Sequence, residues 1–160
     1  MKFIATTGIF LLGAGQALAA TEVTGDAAAG EAVFNQCSAC HVVADDEGNT
    51  LAGRAGRTGP NLYGIQGRVA GTVEDFRYSD AMVEAGEAGL EWNEADFVAY
   101  VQDPTGFLRE YLDDSRARGK MAYKVRSEDD AKNVYAYIVS LGPEMEEGDA
   151  ADAAAEDSAS

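Results

Sequence analysis

Basic residues, cysteine and histidine are scarce in this 160-residue chain. Twelve Lys and Arg stand against 28 Asp and Glu, a formal charge of −16 at pH 7. A surface so short of cations does not suit nucleic acid, whose binding rests on neutralising phosphates with Lys and Arg. There are two cysteines, Cys37 and Cys40, and one histidine, His41. That count excludes a four-ligand zinc site of Cys and His and a disulfide-stapled scaffold. A Ser-His-Asp or Cys-His enzyme would have to use His41 itself, directly beside the cysteines. No apolar run reaches the roughly 20 residues that span a bilayer, and no internal repeat is visible.

What is present begins with an address. Lys2 opens a short positive region, an apolar run through Leu12 follows, and Ala17-Leu18-Ala19 forms the small-x-small pattern of a signal-peptidase site. Residues 1–19 therefore read as a cleaved signal peptide, and the mature protein is expected in the periplasm. At the other end, residues 144–160 hold seven acids and no base or aromatic. Such a segment buries too little apolar surface to offset its ordering entropy and reads as a disordered acidic tail. One domain, residues 20–143, lies between.

Within that domain the pattern is short helices and long loops. Asp26 suits an N-cap for a helix to about Asn35, and Ser79 for one over about 80–85. Asn93-Glu94-Ala95-Asp96 resembles a capping box, and that helix must stop near Asp103 because Pro104 follows. Asp103-Pro104 then reads as cap and first position of a helix carrying Phe107, Leu108 and Tyr111. Ser127 followed by three acids opens a last helix that Gly142-Pro143 ends. The Gly-rich stretch from Val42 to Arg77 reads as loop, and no alternation long enough for a sheet appears. A loop this long in a compact domain is tolerable where a cofactor fills part of the centre.

Cys37-Ser38-Ala39-Cys40-His41 supplies a candidate cofactor site. Two thiols three residues apart can form thioethers to two haem vinyl groups, and the next residue can reach the iron. A redox dithiol and a chance pair are the alternatives. The dithiol wants an α/β context with a preceding strand, whereas here a helix precedes and a Gly-rich loop follows. His41 would bind through Nε2 and need an acceptor at Nδ1. For the opposite axial position the mature chain offers Met82, Met121 and Met145. Met82 falls at helical spacing and Met145 in the acidic tail. Met121 sits on a loop after Gly119 and is favoured over a core or surface role because a loop thioether can turn inward.

These residues resemble class I cytochromes c, the family of mitochondrial cytochrome c and bacterial cytochromes c2. The resemblance runs through Cys37–His41, Gly59-Pro60-Asn61-Leu62-Tyr63-Gly64, Phe76-Arg77-Tyr78-Ser79, Leu90-Glu91-Trp92 and Lys120-Met121, over about Gly25 to Gly142. It implies an all-α fold, short helices and long loops around one haem c attached at Cys37 and Cys40. It implies His41 and Met121 as axial ligands and the Pro60 carbonyl as acceptor for His41. Tyr100 matches a tyrosine near the ligand methionine. Arg68, Tyr78 and Trp92 match residues that hold haem propionates. A solvated charge for Arg68 and plain core packing for Trp92 and Tyr100 are the alternatives. Gly30 and Phe34 match positions that pack on the last helix near Tyr137. The family often has a hydroxyl residue at the position of Gly119, and 109–118 lacks a clear counterpart.

The implied function is electron carriage rather than enzymology: an Fe(III)/Fe(II) shuttle between a quinol-oxidising cytochrome bc complex and a terminal oxidase or photosynthetic reaction centre. A haem peroxidase or gas binder would need an open axial position in place of Met121. Seven bases fall on two loops flanking the proposed haem: Arg54, Arg57, Arg116, Arg118, Lys120, Lys124 and Arg126. A positive ring on a negative body would steer a monomeric carrier to an acidic docking face, in transient contact and without membrane insertion. Charges that merely keep a loop solvated are the alternative.

Overall fold

The computed structural model describes residues 23–54 and 58–143. The expected signal peptide, the acidic tail and Arg57 lie outside the described residues.

Among the described residues, five helices and one hairpin follow in the order α1 (Ala27–Cys37), β1 (Val42–Ala44), β2 (Thr50–Gly53), α2 (Asp80–Glu87), α3 (Glu94–Gln102), α4 (Pro104–Tyr111) and α5 (Glu128–Ser140). Each helix starts where a side chain can satisfy its free N–H groups. Asp26 Oδ1 accepts from Ala28 N at 2.8 Å, Asn93 Oδ1 from Asp96 N at 2.9 Å, and Asp103 Oδ1 from Gly106 N at 3.2 Å. Ser79 caps α2 and Ser127 caps α5. All five caps are those read from the sequence.

The main packing pair is α1 against α5, the two ends of the described chain. Gly30 is the reason they come so close. A Cβ there would lie 2.0 Å from the Asn133 carbonyl oxygen, so only glycine lets the backbones touch. Phe34, one turn on, meets Tyr137 with ring centroids 5.5 Å apart. These contacts match the expectation for Gly30 and Phe34. Helix α3 packs on α5 and on α4, and α2 lies against α4.

The 42–77 segment corrects one expectation. It is mostly loop, but β1 and β2 form an antiparallel hairpin with an irregularity between Val43 and Ala44. The pattern escapes period-two reading because Val43 alone is fully buried and both strands are short. Further on, Gly67 N donates to Trp92 O (2.8 Å), Trp92 N to Arg68 O (3.0 Å) and Ala70 N to Leu90 O (2.8 Å). These bonds tie the long loop to the entry of α3.

The stretch 109–118, without counterpart in the resemblance, is defined. Helix α4 ends with Leu112 as C-cap, Asp113 turns the chain at φ 50°, and Arg109 Nε donates to Ala117 O at 3.2 Å, with Ala117 buried. No described helix is long and apolar enough to cross a membrane.

Candidate haem site

Cys37 is the last residue of α1, and its backbone carbonyl accepts from both Cys40 N (3.0 Å) and His41 N (2.9 Å). This tight turn brings both cysteines and His41 to the lining of a cavity of about 300 Å³. Leu62, Ile65, Phe97, Val101, Val134 and Ile138 contribute apolar walls. Both remaining candidate methionines face it: Met121 from the loop before α5, half-buried, and Met82 from α2, buried.

His41 is held by the 59–64 segment. Asn61 anchors that segment to β1, its side chain donating to Ala44 O at 2.7 Å and accepting from Ala44 N at 3.0 Å. Leu62 N donates to Val42 O and Gly59 N to Cys40 O, both at 2.9 Å. The result brings Pro60 O to 3.0 Å from His41 Nδ1. A carbonyl only accepts, so Nδ1 carries the proton and Nε2 keeps its lone pair. Gly59 lies flat against the ring: a Cβ there would be 2.5 Å from Cε1 and 2.6 Å from Nδ1. Burial lowers the His41 pKa, with the Pro60 bond opposing, which favours the neutral ring that a metal needs. Asn61 and Gly59 belong to the quoted motif, but their anchoring and cradling roles depend on contacts that sequence spacing does not reveal.

Burial, with Cys40 adding to it, pushes the Cys37 thiol up to about 11. Dithiol oxidoreductases work through stabilised thiolates, so this environment opposes that alternative. It fits thiols destined for covalent capping.

Arg68, Tyr78, Trp92 and Tyr100 all line the same cavity. Arg68 donates to Tyr63 O at 2.8 Å and Asn61 O at 3.1 Å, so it is a held side chain and not a solvated charge. Burial lowers its pKa and the nearby Tyr78 raises it; guanidinium stays charged regardless. Tyr78 is shifted up by burial, with Arg68 opposing. Tyr100 is pushed up to about 12 by burial and by Tyr78. Trp92 meets Tyr100 edge-on at 5.2 Å, and Tyr100 meets Phe107 at 5.9 Å.

The proposed positive ring is partly engaged. Arg54, Arg118 and Arg126 are exposed. Lys120 is exposed at the cavity and donates to Arg77 O. Lys124 pairs with Asp103 at 2.8 Å and Arg116 with Asp114 at 3.4 Å.

An apolar cavity lined by two cysteines, an oriented imidazole and a methionine has the donor set of a covalently bound haem. The comparisons agree. A cytochrome c2 of Rhodovulum adriaticum is 64% identical over 121 residues, covering 76% of this chain and 96% of that protein. A cytochrome c-551 of Roseobacter denitrificans is 55% identical over 117 residues, covering 73% of this chain and 81% of that one. The solved structure of cytochrome c2 from Rhodobacter sphaeroides aligns with a TM-score of 0.70 at 56% identity, over 71% of this chain and 94% of that chain. No protein-family model matches the chain. The chain belongs to the class I c-type cytochromes, alongside the cytochromes c2. It is an electron-transfer protein, and its cofactor is one haem c joined to Cys37 and Cys40.

Proposed function

We propose that this chain is a soluble periplasmic carrier whose iron is held by His41 and Met121. It shuttles single electrons from a quinol-oxidising cytochrome bc complex to a terminal oxidase or photosynthetic reaction centre. The observation that carries the reading is His41, oriented by Pro60 at 3.0 Å and facing the cavity that Met121 also lines. When bound, the haem supplies a one-electron Fe(III)/Fe(II) couple. The protein residues supply the rest. Pro60 fixes the imidazole so that Nε2 is the donor. Met121, which lines the same cavity, would supply the second protein ligand, and a site so filled would take no substrate. Arg68 spends two N–H groups on backbone carbonyls and retains others for a propionate. The Tyr78 hydroxyl and Trp92 indole N–H are further propionate donors, and Tyr100 packs beside them.

Exposed Arg118, Lys120 and Arg126 near the ligand loop support transient docking of a monomer to an acidic face of a membrane complex, with no membrane insertion. Lys124 contributes less, because Asp103 shares its charge.

Absorption spectra of the holoprotein test the ligand set. Wild type is expected to be six-coordinate and low-spin, and inert to carbon monoxide. Met121→Ala should bind carbon monoxide and fall in potential. A Met121→Ala spectrum identical to wild type rejects the assignment. Carbon monoxide binding by Met82→Leu instead would transfer the role to Met82.

A further inference from the structure

The loop from Gly119 to Val125 is tied down at five points. Gly119 N donates to Thr105 Oγ1 at 3.3 Å. Lys120 Nζ donates to Arg77 O, the Tyr123 hydroxyl to Gln36 Oε1, Lys124 Nζ pairs with Asp103 at 2.8 Å, and Val125 N donates to Val101 O at 2.9 Å. The three middle ties are made by the exposed side chains of Lys120, Tyr123 and Lys124, and such contacts contribute little net stability in water. The Val125 tie lies four residues beyond Met121. The Thr105 tie is half-buried and lies two residues from Met121.

Thr105 itself belongs to a capped helix. It sits in the first turn of α4, after Asp103 as cap and the buried Pro104. A hydroxyl on the start of a capped helix is thus aimed at the backbone of the ligand loop.

We infer that Thr105 is a positioning residue for Met121, its hydroxyl holding Gly119 N so that the loop keeps the thioether on the iron. The inference rests on the Met121 assignment above. Loop release exposes the iron to outside ligands, and the apparent affinity for such a ligand is the intrinsic affinity reduced by the fraction of released loop. Losing one net hydrogen bond should raise that fraction about two- to tenfold.

The experiment titrates ferric holoprotein with imidazole, followed by absorption. Thr105→Val, which keeps the shape and removes the hydroxyl, should bind imidazole about two- to tenfold more tightly than wild type. Thr105→Ser, which restores the hydroxyl, should return to wild-type affinity. Thr105→Ala serves in place of the valine variant if the latter yields no holoprotein. On a Met121→Ala background the residue at 105 should make no difference, because no thioether remains to compete. Equal affinity in Thr105→Val and wild type overturns the inference, as does failure of serine to rescue. An equal effect of Thr105→Val with and without Met121 overturns it too, while leaving Met121 as ligand. If Met121→Ala alone matches wild type in spectrum and affinity, the ligand assignment falls and this inference with it.

Discussion

At the scale of single residues, two positions show how local chemistry sets tolerance. Gly30 stands where a Cβ would meet the Asn133 carbonyl oxygen at 2.0 Å and the Tyr137 Cβ at 2.8 Å. Backbone cannot yield as a side-chain tip can, so Gly30→Ala must push α1 off α5. A loss of about 1–3 kcal/mol is expected in denaturant unfolding of the holoprotein, the range of core overpacking. Tyr135 is the opposite case. Its ring is fully buried against Phe97, at 5.0 Å between centroids, and its hydroxyl has no hydrogen-bond partner among the described residues. Burial, with Glu94 adding, pushes its pKa up to about 12. A raised folded-state pKa means stability that is complete below the ordinary value near 10 and lost as pH climbs toward 12. Tyr135→Phe should therefore gain about 1 kcal/mol at neutral pH. It should also lose less stability than wild type between pH 10 and 12 when unfolding midpoints are compared.

At the scale of elements, the junction of α3 and α4 does more than turn the chain. Asp103 ends one helix, caps the next and pairs with Lys124 at 2.8 Å. Its carboxyl is held below the usual range by Lys124 and then by Gly106 N. Asp103→Ala removes the cap, which is worth about 1 kcal/mol; the exposed ion pair adds little. Circular dichroism melts should show that loss, and Asp103→Asn should recover most of it because asparagine caps as well. This junction was legible in the sequence, since Asp-Pro at a helix start is a local signal. The hairpin at 42–53 was not: its pairing joins residues six to eleven apart, with one fully buried side chain. The link between Thr105 and Gly119 was equally invisible, because it spans 14 residues and a loop without periodicity. The sequence showed that residue 119 lacks a hydroxyl. The structure shows a hydroxyl from α4 bonded to the backbone of that same residue.

At the scale of the whole molecule, the centre belongs to the cofactor. Apolar side chains from α1 to α5 and the long loop face a cavity of about 300 Å³. Without the haem these apolar side chains would lose their packing partner and face water. Secreted Cys37→Ala/Cys40→Ala protein, freed of haem, should keep helical circular dichroism at most in part and lose its near-ultraviolet signal. Retention of cooperative unfolding would show that the polypeptide alone completes the core. The charge pattern also acts at this scale. Arg118→Glu with Arg126→Glu should slow reduction by a purified cytochrome bc complex at low ionic strength, and the difference should shrink as salt is added. Stopped-flow rates at two salt concentrations check it.

The sequence by itself determined the helix starts, the attachment motif and the net charge, because caps, a five-residue motif and composition are local or additive. The same local reading named His41 and favoured Met121 among the methionines as its partner. Only tertiary structure could bring Pro60 to the imidazole, lay Gly59 against its face and set Thr105 beneath the Met121 loop. Each of those contacts joins residues remote along the chain, and their distance in space is decided by how α1, α5 and the α3–α4 junction pack together.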